Sequence, residues 1–368
     1  MTKSIRWKVV FAVAITAFTI FSFSLAHRSL VSVERCLPHS ASILASDGIG
    51  ISLEQAMLLE TSSIIETGAL GLATSMFFRA NDKVEVVAAI PITPGAIKLL
   101  PLEYIEGGFD GNYVSFALVS DELASGFGLT QGDQIELDEA EYIVCGIYRQ
   151  KRSIAESIAG DGRARVYIYS KNLLAETPVA ELLITDEWGA DAQQLARTAM
   201  RITQTQLIGQ YRDYRMWVEL AHGLMQLAYL LCYIILVALI LWFAGKQIIY
   251  SVEHLNEATS LRVARGLIAV ALATGVFIGL SIQMHALRIP GRYLPPDNVF
   301  SISHYLTQIT AFMRNLHMTP YYYDWIYILH LSSMLLFAAL GIALFCVVMI
   351  SICRLIRALA IGKRQKRF

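Results

Sequence analysis

Charge is scarce in this chain. Of 368 residues only 16% are Asp, Glu, Lys or Arg while 55% are hydrophobic, against roughly a quarter charged in an ordinary soluble protein. The shortfall points to lipid. Thirty Lys+Arg balance thirty Asp+Glu, so no excess of positive charge supports binding to nucleic acid or another polyanion. None of the five cysteines forms a C-x-x-C pair and the eight histidines are scattered, which argues against a zinc or iron–sulfur site. A Walker A loop is missing too: the only Gly-Lys pairs, Gly245-Lys246 and Gly362-Lys363, are followed by Gln247 and Arg364, so the chain carries no P-loop of its own. No nucleophile–base pairing or carboxylate dyad stands out as catalytic. Asp133 after Gly132 reads as a turn residue, and Glu103, Glu106 and Asp110 read as rim charges.

What is present is long uncharged runs. Val9–Ala26 has no charged residue and follows Lys3, Arg6 and Lys8, which reads as a first membrane helix over 9–26 entered from a basic, cytoplasmic segment 1–8. The alternative is a leader cleaved after Ser24-Leu25-Ala26, although the run is longer than the usual apolar stretch of a signal peptide. Three further runs lie late in the chain: Leu224–Ala244, Gly266–Met284 and Ile326–Cys353. With their flanks they predict spans over 217–245, 266–286 and 326–353. The last, at about 1.5 Å per residue, is longer than a bilayer core and must tilt or project. Trp7, Tyr214, Trp217, Trp242, Tyr321, Tyr322, Tyr323 and Trp325 mark span ends as interfacial aromatics do.

Basic residues set the orientation. Lys3, Arg6 and Lys8, then Lys246, Arg262 and Arg265, then Arg354, Arg357, Lys363, Arg364, Lys366 and Arg367 share one side, and only Arg288, Arg292 and Arg314 lie in the opposite loop. Both termini, including the basic tail 354–368, are then cytoplasmic, as is the loop 246–265, while 27–216 and 287–325 lie outside.

Segment 27–216 is long enough for one folded domain. Ser52-x-x-Gln55 reads as a capping box opening a short helix. Strand-like stretches follow at Lys83–Ile90, Tyr113–Val119, Gln134–Leu137, Tyr142–Tyr148, Val166–Tyr169 and Glu181–Thr185, with glycine punctuation. Ala190–Thr205 reads as an amphipathic helix with Leu195, Ala199 and Ile202 on one side. The expected fold class is therefore a membrane protein with four transmembrane helices in a 1+3 order and an α+β extracytoplasmic domain inserted between helices 1 and 2. In the outer loop 287–325, Ile302, Tyr305, Leu306, Ile309, Phe312, Met313 and Leu316 recur at three-to-four spacing and predict a further amphipathic helix, a surface for the bilayer or for an extracytoplasmic partner.

Phe116–Arg149, FALVSDELASGFGLTQGDQIELDEAEYIVCGIYR, joins a strand, a short helix ending in Phe-Gly, a Gly-Asp turn and a hairpin ending in Val-x-Gly. In this order it resembles the FtsX-like permeases of ABC transporters, whose outer domain is of the MacB periplasmic core type. Ile92-Thr93-Pro94 through Glu106-Gly107-Gly108 is similar to that family's G-T-T-P … l-x-x-G-R stretch, with Gly108 where Arg is usual. Arg165–Ser170 and Leu182–Thr205 resemble its next strand and its strand plus helix. Glu253–Arg262, EHLNEATSLR, is similar to the family's E-R-x-x-E-I-G-x-L-R, with His254 replacing Arg and Ala258-Thr259 replacing Ile-Gly.

The resemblance implies a permease subunit, not itself an enzyme, in a bacterial cytoplasmic membrane. It would couple a separate cytoplasmic ABC ATPase to movement of its outer domains by mechanotransmission, as a homodimer or with a related permease. ATP and magnesium would be bound by that partner, and this chain would hold no cofactor or metal. The work implied is export of a peptide, lipid-linked or drug-like substrate, or control of an extracytoplasmic enzyme. Glu253, Glu257, Leu261 and Arg262 would seat in the ATPase, the two glutamates four apart on one helical face with Leu261 continuing the row. A reading of another class is a membrane-anchored sensor or scaffold without an ATPase.

Four smaller features complete the reading. Gly275-x-x-x-Gly279 offers a close-packing face for another helix, within the chain or across a dimer. His330, Gln226 and Gln283 are polar positions in spans, read as interhelical hydrogen bonders rather than a solute path. Cys36 and Cys145 both fall outside by this topology, where a disulfide between them is permitted, though Cys145 reads equally as a small buried hydrophobe. Cys232, Cys346 and Cys353 read as apolar lining.

Overall fold

Strands that bury both faces read as unbroken apolar runs, and two such runs, Phe116–Val119 and Val166–Tyr169, form the centre of the extramembrane fold. In the computed structural model, residues 3–62, 64–108, 114–149, 163–186, 192–253 and 322–365 are described, with scattered positions between 268 and 310. The chain divides into two units, one of Met1–Ser32, Glu219–Met313 and Leu329–Phe368, the other of Val33–Val218 and Arg314–Ile328.

Among its described residues the second unit has eleven strands. β1 (Ala41–Leu44), β2 (Glu66–Gly71), β10 (Val179–Thr185) and β11 (Gln210–Asp213) form an antiparallel sheet in the order β11-β1-β10-β2. β3 (Thr74–Ala80), β4 (Lys83–Pro91), β5 (Glu103–Gly107), β6 (Ser115–Ser120), β7 (Gln134–Leu137), β8 (Ala140–Arg149) and β9 (Arg165–Ser170) form the other, in the order β5-β8-β6-β9-β4-β3-β7. β8 pairs with β7 through its first residues and with β6 through its later ones. Six strands therefore close into a barrel, and β5 lies along the end of β8.

Helices α2 (Leu53–Glu60), α3 (Ala96–Leu99), α4 (Asp121–Phe127), α5 (Lys171–Leu174) and α6 (Ala192–Thr203) pack around these sheets. The predicted capping box is present: Ser52 Oγ accepts from Gln55 N and Gln55 Oε1 accepts from Ser52 N. The Phe-Gly stop is present as well, with Gly128 capping α4 at φ +68°. In α6, Leu195, Ala196 and Ala199 are buried, whereas Ile202, expected on the same side, is exposed.

Period-two alternation divides each central strand between two cores. Ala117, Val119, Val166 and Ile168 point into the barrel with Leu123 and Phe127 of α4. Phe116, Leu118, Tyr167 and Tyr169 point out of it, into a core shared with the four-stranded sheet, α2 and α6. The register of β8 against β6 shifts between Ala117 and Leu118, skipping Cys145. This bulge reverses the alternation: Tyr142, Val144 and Ile147 face the barrel core while Cys145 and Tyr148 face the other.

The Ile92-Thr93-Pro94 stretch has a physical role. Thr93 Oγ1 accepts from Ala69 N at 2.8 Å while Thr93 N donates to Ala69 O at 2.9 Å, a clamp between this loop and β2. The approach is close enough that a Cβ on Gly68 would overlap the backbone of Ala96.

Three helices among the described residues are long and apolar enough to cross a membrane, with spans at Val9–Cys36, Tyr214–Trp242 and Tyr323–Arg354. They belong to α1 (Lys3–Cys36), α7 (Tyr214–Glu253) and α8 (Tyr322–Gln365). α1 continues ten residues past the Ala26 expected to end the first span. Thr16, Thr19 and Ser22 return their hydroxyls to the carbonyls four residues earlier, which satisfies these groups within the helix. Ser29 bonds Ser333 at 3.0 Å, and Phe23 packs on Tyr229 and against Gly341. The run Gly266–Met284 lies largely outside the described residues; its six described positions are helical. In the outer loop only Ser301, Ser303, His304, Leu306, Thr307 and Thr310 are described, all but Ser301 helical. The remaining positions of the expected amphipathic face lie outside the described residues.

Candidate functional site

β11 runs into α7 with no residue between them, since Asp213 ends the strand and Tyr214 opens the helix. Asp213 accepts from Met216 N at 3.3 Å, an N-cap contact that sets the helix off from the strand. Its carboxylate also meets Arg215 at 3.4 Å, and Arg215 reaches Asp186 at 3.4 Å.

One residue earlier, Arg212 turns to the opposite face of β11 and meets the first turn of α8. Its Nε and Nη2 donate to the two carboxylate oxygens of Asp324 at 3.2 and 3.3 Å. The side chains are 8% and 0% exposed, so both charges are out of water. Two charges buried this deeply persist because the fork of the guanidinium satisfies both carboxylate oxygens. Gln210 Oε1 accepts from Arg212 at 2.8 Å and completes its shell.

Aromatic rings surround the pair. Tyr214 lies edge-on to Trp217 and to Tyr323 with centroids 5.3 and 5.5 Å away, and Trp217 stacks on Tyr327 at 4.7 Å. Tyr214, Trp217 and Tyr323 are among the aromatics expected at span ends. With Tyr327 they are buried against one another, while Trp325 is exposed. Glu181 on β10 adds a further carboxyl. It accepts from Ser42 Oγ at 2.8 Å, and burial, with a smaller contribution from the Asp324 charge, pushes its pKa up to about 7 despite Ser42 and the Arg165 charge. The one hydroxyl that faces Glu181, Ser42, is fully buried; the arrangement is built as a joint, holding the first turns of α7 and α8 to the sheet β11-β1-β10.

Of the expected coupling residues only Glu253 is described. Glu253 is the last residue of α7, and Glu257, Leu261 and Arg262 lie outside the described residues. Gly279 lies against the Tyr233 ring of α7, and Gly275 has no described atom within 4 Å of a Cβ built on it. Cys36 is half-buried at the end of α1 and Cys145 is fully buried. Among the described residues no cluster of His, Cys, Asp or Glu could hold a metal. His330 Nε2 is buried without a hydrogen-bond partner among them, and Gln283 lies outside them.

Sequence reading missed Arg212, Glu181 and Asp324. Arg212 and Asp324 are 112 residues apart, beyond any local pattern. The available signal was Asp324 itself, a carboxylate set directly before an apolar run.

No protein-family model matches the chain, and no curated protein is similar to it at a significant level. Among solved structures it is similar to the periplasmic region of MacB from Actinobacillus actinomycetemcomitans, at 8% identity and a TM-score of 0.39, over 50% of this chain and 92% of that one. The extracellular domain of the noncanonic ABC-type transporter YknZ from Gram-positive bacteria matches at 13% identity and a TM-score of 0.35, over 47% and 98%. A domain of a putative permease protein from Porphyromonas gingivalis matches at 12% identity and a TM-score of 0.33, over 45% and 83%.

Proposed function

We infer that the chain is the permease subunit of an ABC transporter, doing no covalent chemistry and acting by mechanotransmission. A separate cytoplasmic ATPase would move the spans, and the spans would move the outer domain. The observation that carries this reading is the buried Arg212–Asp324 pair. It ties the starts of two apolar helices to one sheet, so that a displacement of either helix start is passed to β11, β1 and β10 rather than absorbed by a loop. A packed unit of this kind transmits a shift between two arrangements.

The order of motifs in Phe116–Arg149 and the three membrane-length helices support the same reading. The substrate would be a peptide, lipid-linked or drug-like molecule to be exported, or an extracytoplasmic enzyme to be switched. Glu253, Glu257, Leu261 and Arg262 would dock on the ATPase, and a second permease chain would complete the assembly, with both termini in the cytoplasm.

Purification of the full chain in mild detergent from its native host tests this. An ABC ATPase should co-purify with the wild type and be lost from Leu261→Asp. Absence of any ATPase, or its retention by the variant, overturns the coupling.

A further inference from the structure

The groove between α7 and α8 is lined by Ile235 and Leu239 on one side and by Cys346, Met349 and Ile350 on the other, and encloses about 460 Å³. Its walls are apolar, and it lies within the two candidate spans, so whatever fills it comes from a hydrocarbon medium. One end is different. Arg354 lines that end, and it is exposed. On α7, the stripe Ile235, Leu239, Trp242, Lys246 continues at three-to-four spacing to the same end of the helix pair, and the Lys246 ammonium sits over the Trp242 ring, 4.3 Å from its centroid.

We propose that this groove binds one membrane phospholipid with an anionic headgroup, its acyl chain along Leu239 and Met349 and its phosphate at Arg354 and Lys246. Three observations lead to that occupant. The groove is open along spans whose exposed residues are apolar, among them Leu231, Ile234, Leu340 and Val347, which makes the bilayer the source. Both described cations of the helix pair at this level stand at one end, which gives a headgroup site rather than a through-passage, and basic sites between membrane helices recognise anionic headgroups. Gly279 lies against Tyr233, which at about 100° per residue is a third of a turn or more around α7 from Ile235 and Leu239, so that contact is on another side of the helix from the groove.

A planar guanidinium forks onto phosphate oxygens, and an ammonium held by a ring face adds a second point charge. Arg354 therefore carries the headgroup preference and Leu239 the fit of the chain. Loss of one such cation lowers affinity about fivefold. This inference stands on the first unit alone and does not depend on the permease reading.

The test uses the full chain in nanodiscs of phosphatidylcholine and phosphatidylglycerol in equal amounts, released into detergent and weighed intact by native mass spectrometry. The wild type should keep one phosphatidylglycerol in preference to phosphatidylcholine. Arg354→Gln should lose that preference about fivefold, Arg354→Lys should keep most of it, and Leu239→Trp should lose the bound lipid of either kind. Equal retention of the two lipids by the wild type, or an unchanged preference in Arg354→Gln, overturns the proposal. Because Arg354 is exposed, its variants fold whether or not Leu239→Trp does.

Discussion

Arg212 on β11 and Asp324 in the first turn of α8 share two hydrogen bonds of 3.2 and 3.3 Å in a pocket that leaves the carboxylate no contact with solvent. Removing one partner strands the other charge in a low-dielectric setting, which costs about 3–5 kcal/mol, whereas replacing both by apolar groups costs far less. Asp324→Ala is expected to lower the unfolding free energy of the purified chain by that amount. Arg212→Met combined with Asp324→Leu should recover most of it. Thermal or denaturant unfolding in detergent, arranged as a double-mutant cycle, reads the coupling. A double-variant loss equal to the sum of the two single-variant losses would show that the pair contributes nothing.

Glu181 makes the same joint sensitive to pH. Its carboxyl faces Ser42, Asp324 and Arg165, and its folded pKa is raised from 4.5 to about 7 chiefly by burial. The folded chain therefore holds a proton that the unfolded chain has released between those values. Its contribution to stability is full below about pH 4.5 and is lost as pH rises through about 7. Stability measured from pH 5 to 8 should fall across that window more steeply in the wild type than in Glu181→Gln, which keeps an acceptor for Ser42 and cannot ionise. Parallel pH profiles for the two proteins would remove Glu181 from the joint.

The regular parts of the fold were legible in the sequence because their signals are local. Ser52 and Gln55 stand at capping-box spacing and form one, and Gln134–Leu137 is a strand with the expected bounds. Glycine stops α4 where Phe127-Gly128 marks it. Two things were not legible. Strands β2 and β3 and the helix-adjacent strands β1 and β11 are short or polar, and only their pairing across the sheets defines them. The joint depends on residues from β11, β10 and α8, each ordinary in its own neighbourhood. Tyr214, Trp217 and Tyr323 did carry a signal, but an aromatic at a span end reads as an interface marker until its neighbours are known.

Gly68 tests the clamp between β2 and the Ile92–Ala96 loop. A methyl group there would overlap the backbone of Ala96, and neither element can move away while Thr93 holds both ends of its bond pair with Ala69. Gly68→Ala is expected to destabilise by about 1–3 kcal/mol, the usual cost of overpacking. Thr93→Val, which keeps the shape and removes the hydroxyl acceptor, should leave Ala69 N unpaired at about 1–3 kcal/mol. Because both act on one contact, the combined variant should lose less than the sum. Strict additivity in unfolding measurements would mean that the clamp is not a unit.

Cysteine chemistry gives a check that needs no variant of the joint. Cys145 is the residue skipped in the register of β8 against β6, and the bulge turns its side chain into the core with Tyr148 while its carbonyl accepts from Gly108 N at 3.0 Å. Cys36 at the end of α1 is half-buried, whereas Cys145 is fully buried in that core. Both should therefore remain thiols whatever the redox state around them. Denatured without reductant in the presence of a maleimide, the chain should gain five adducts by mass, one per cysteine. Three adducts, rising to five only after reduction, would establish a bridge and displace the register of β8 described above. Cys145→Ala should leave the count one lower, at a modest loss of stability from the void the missing sulfur leaves.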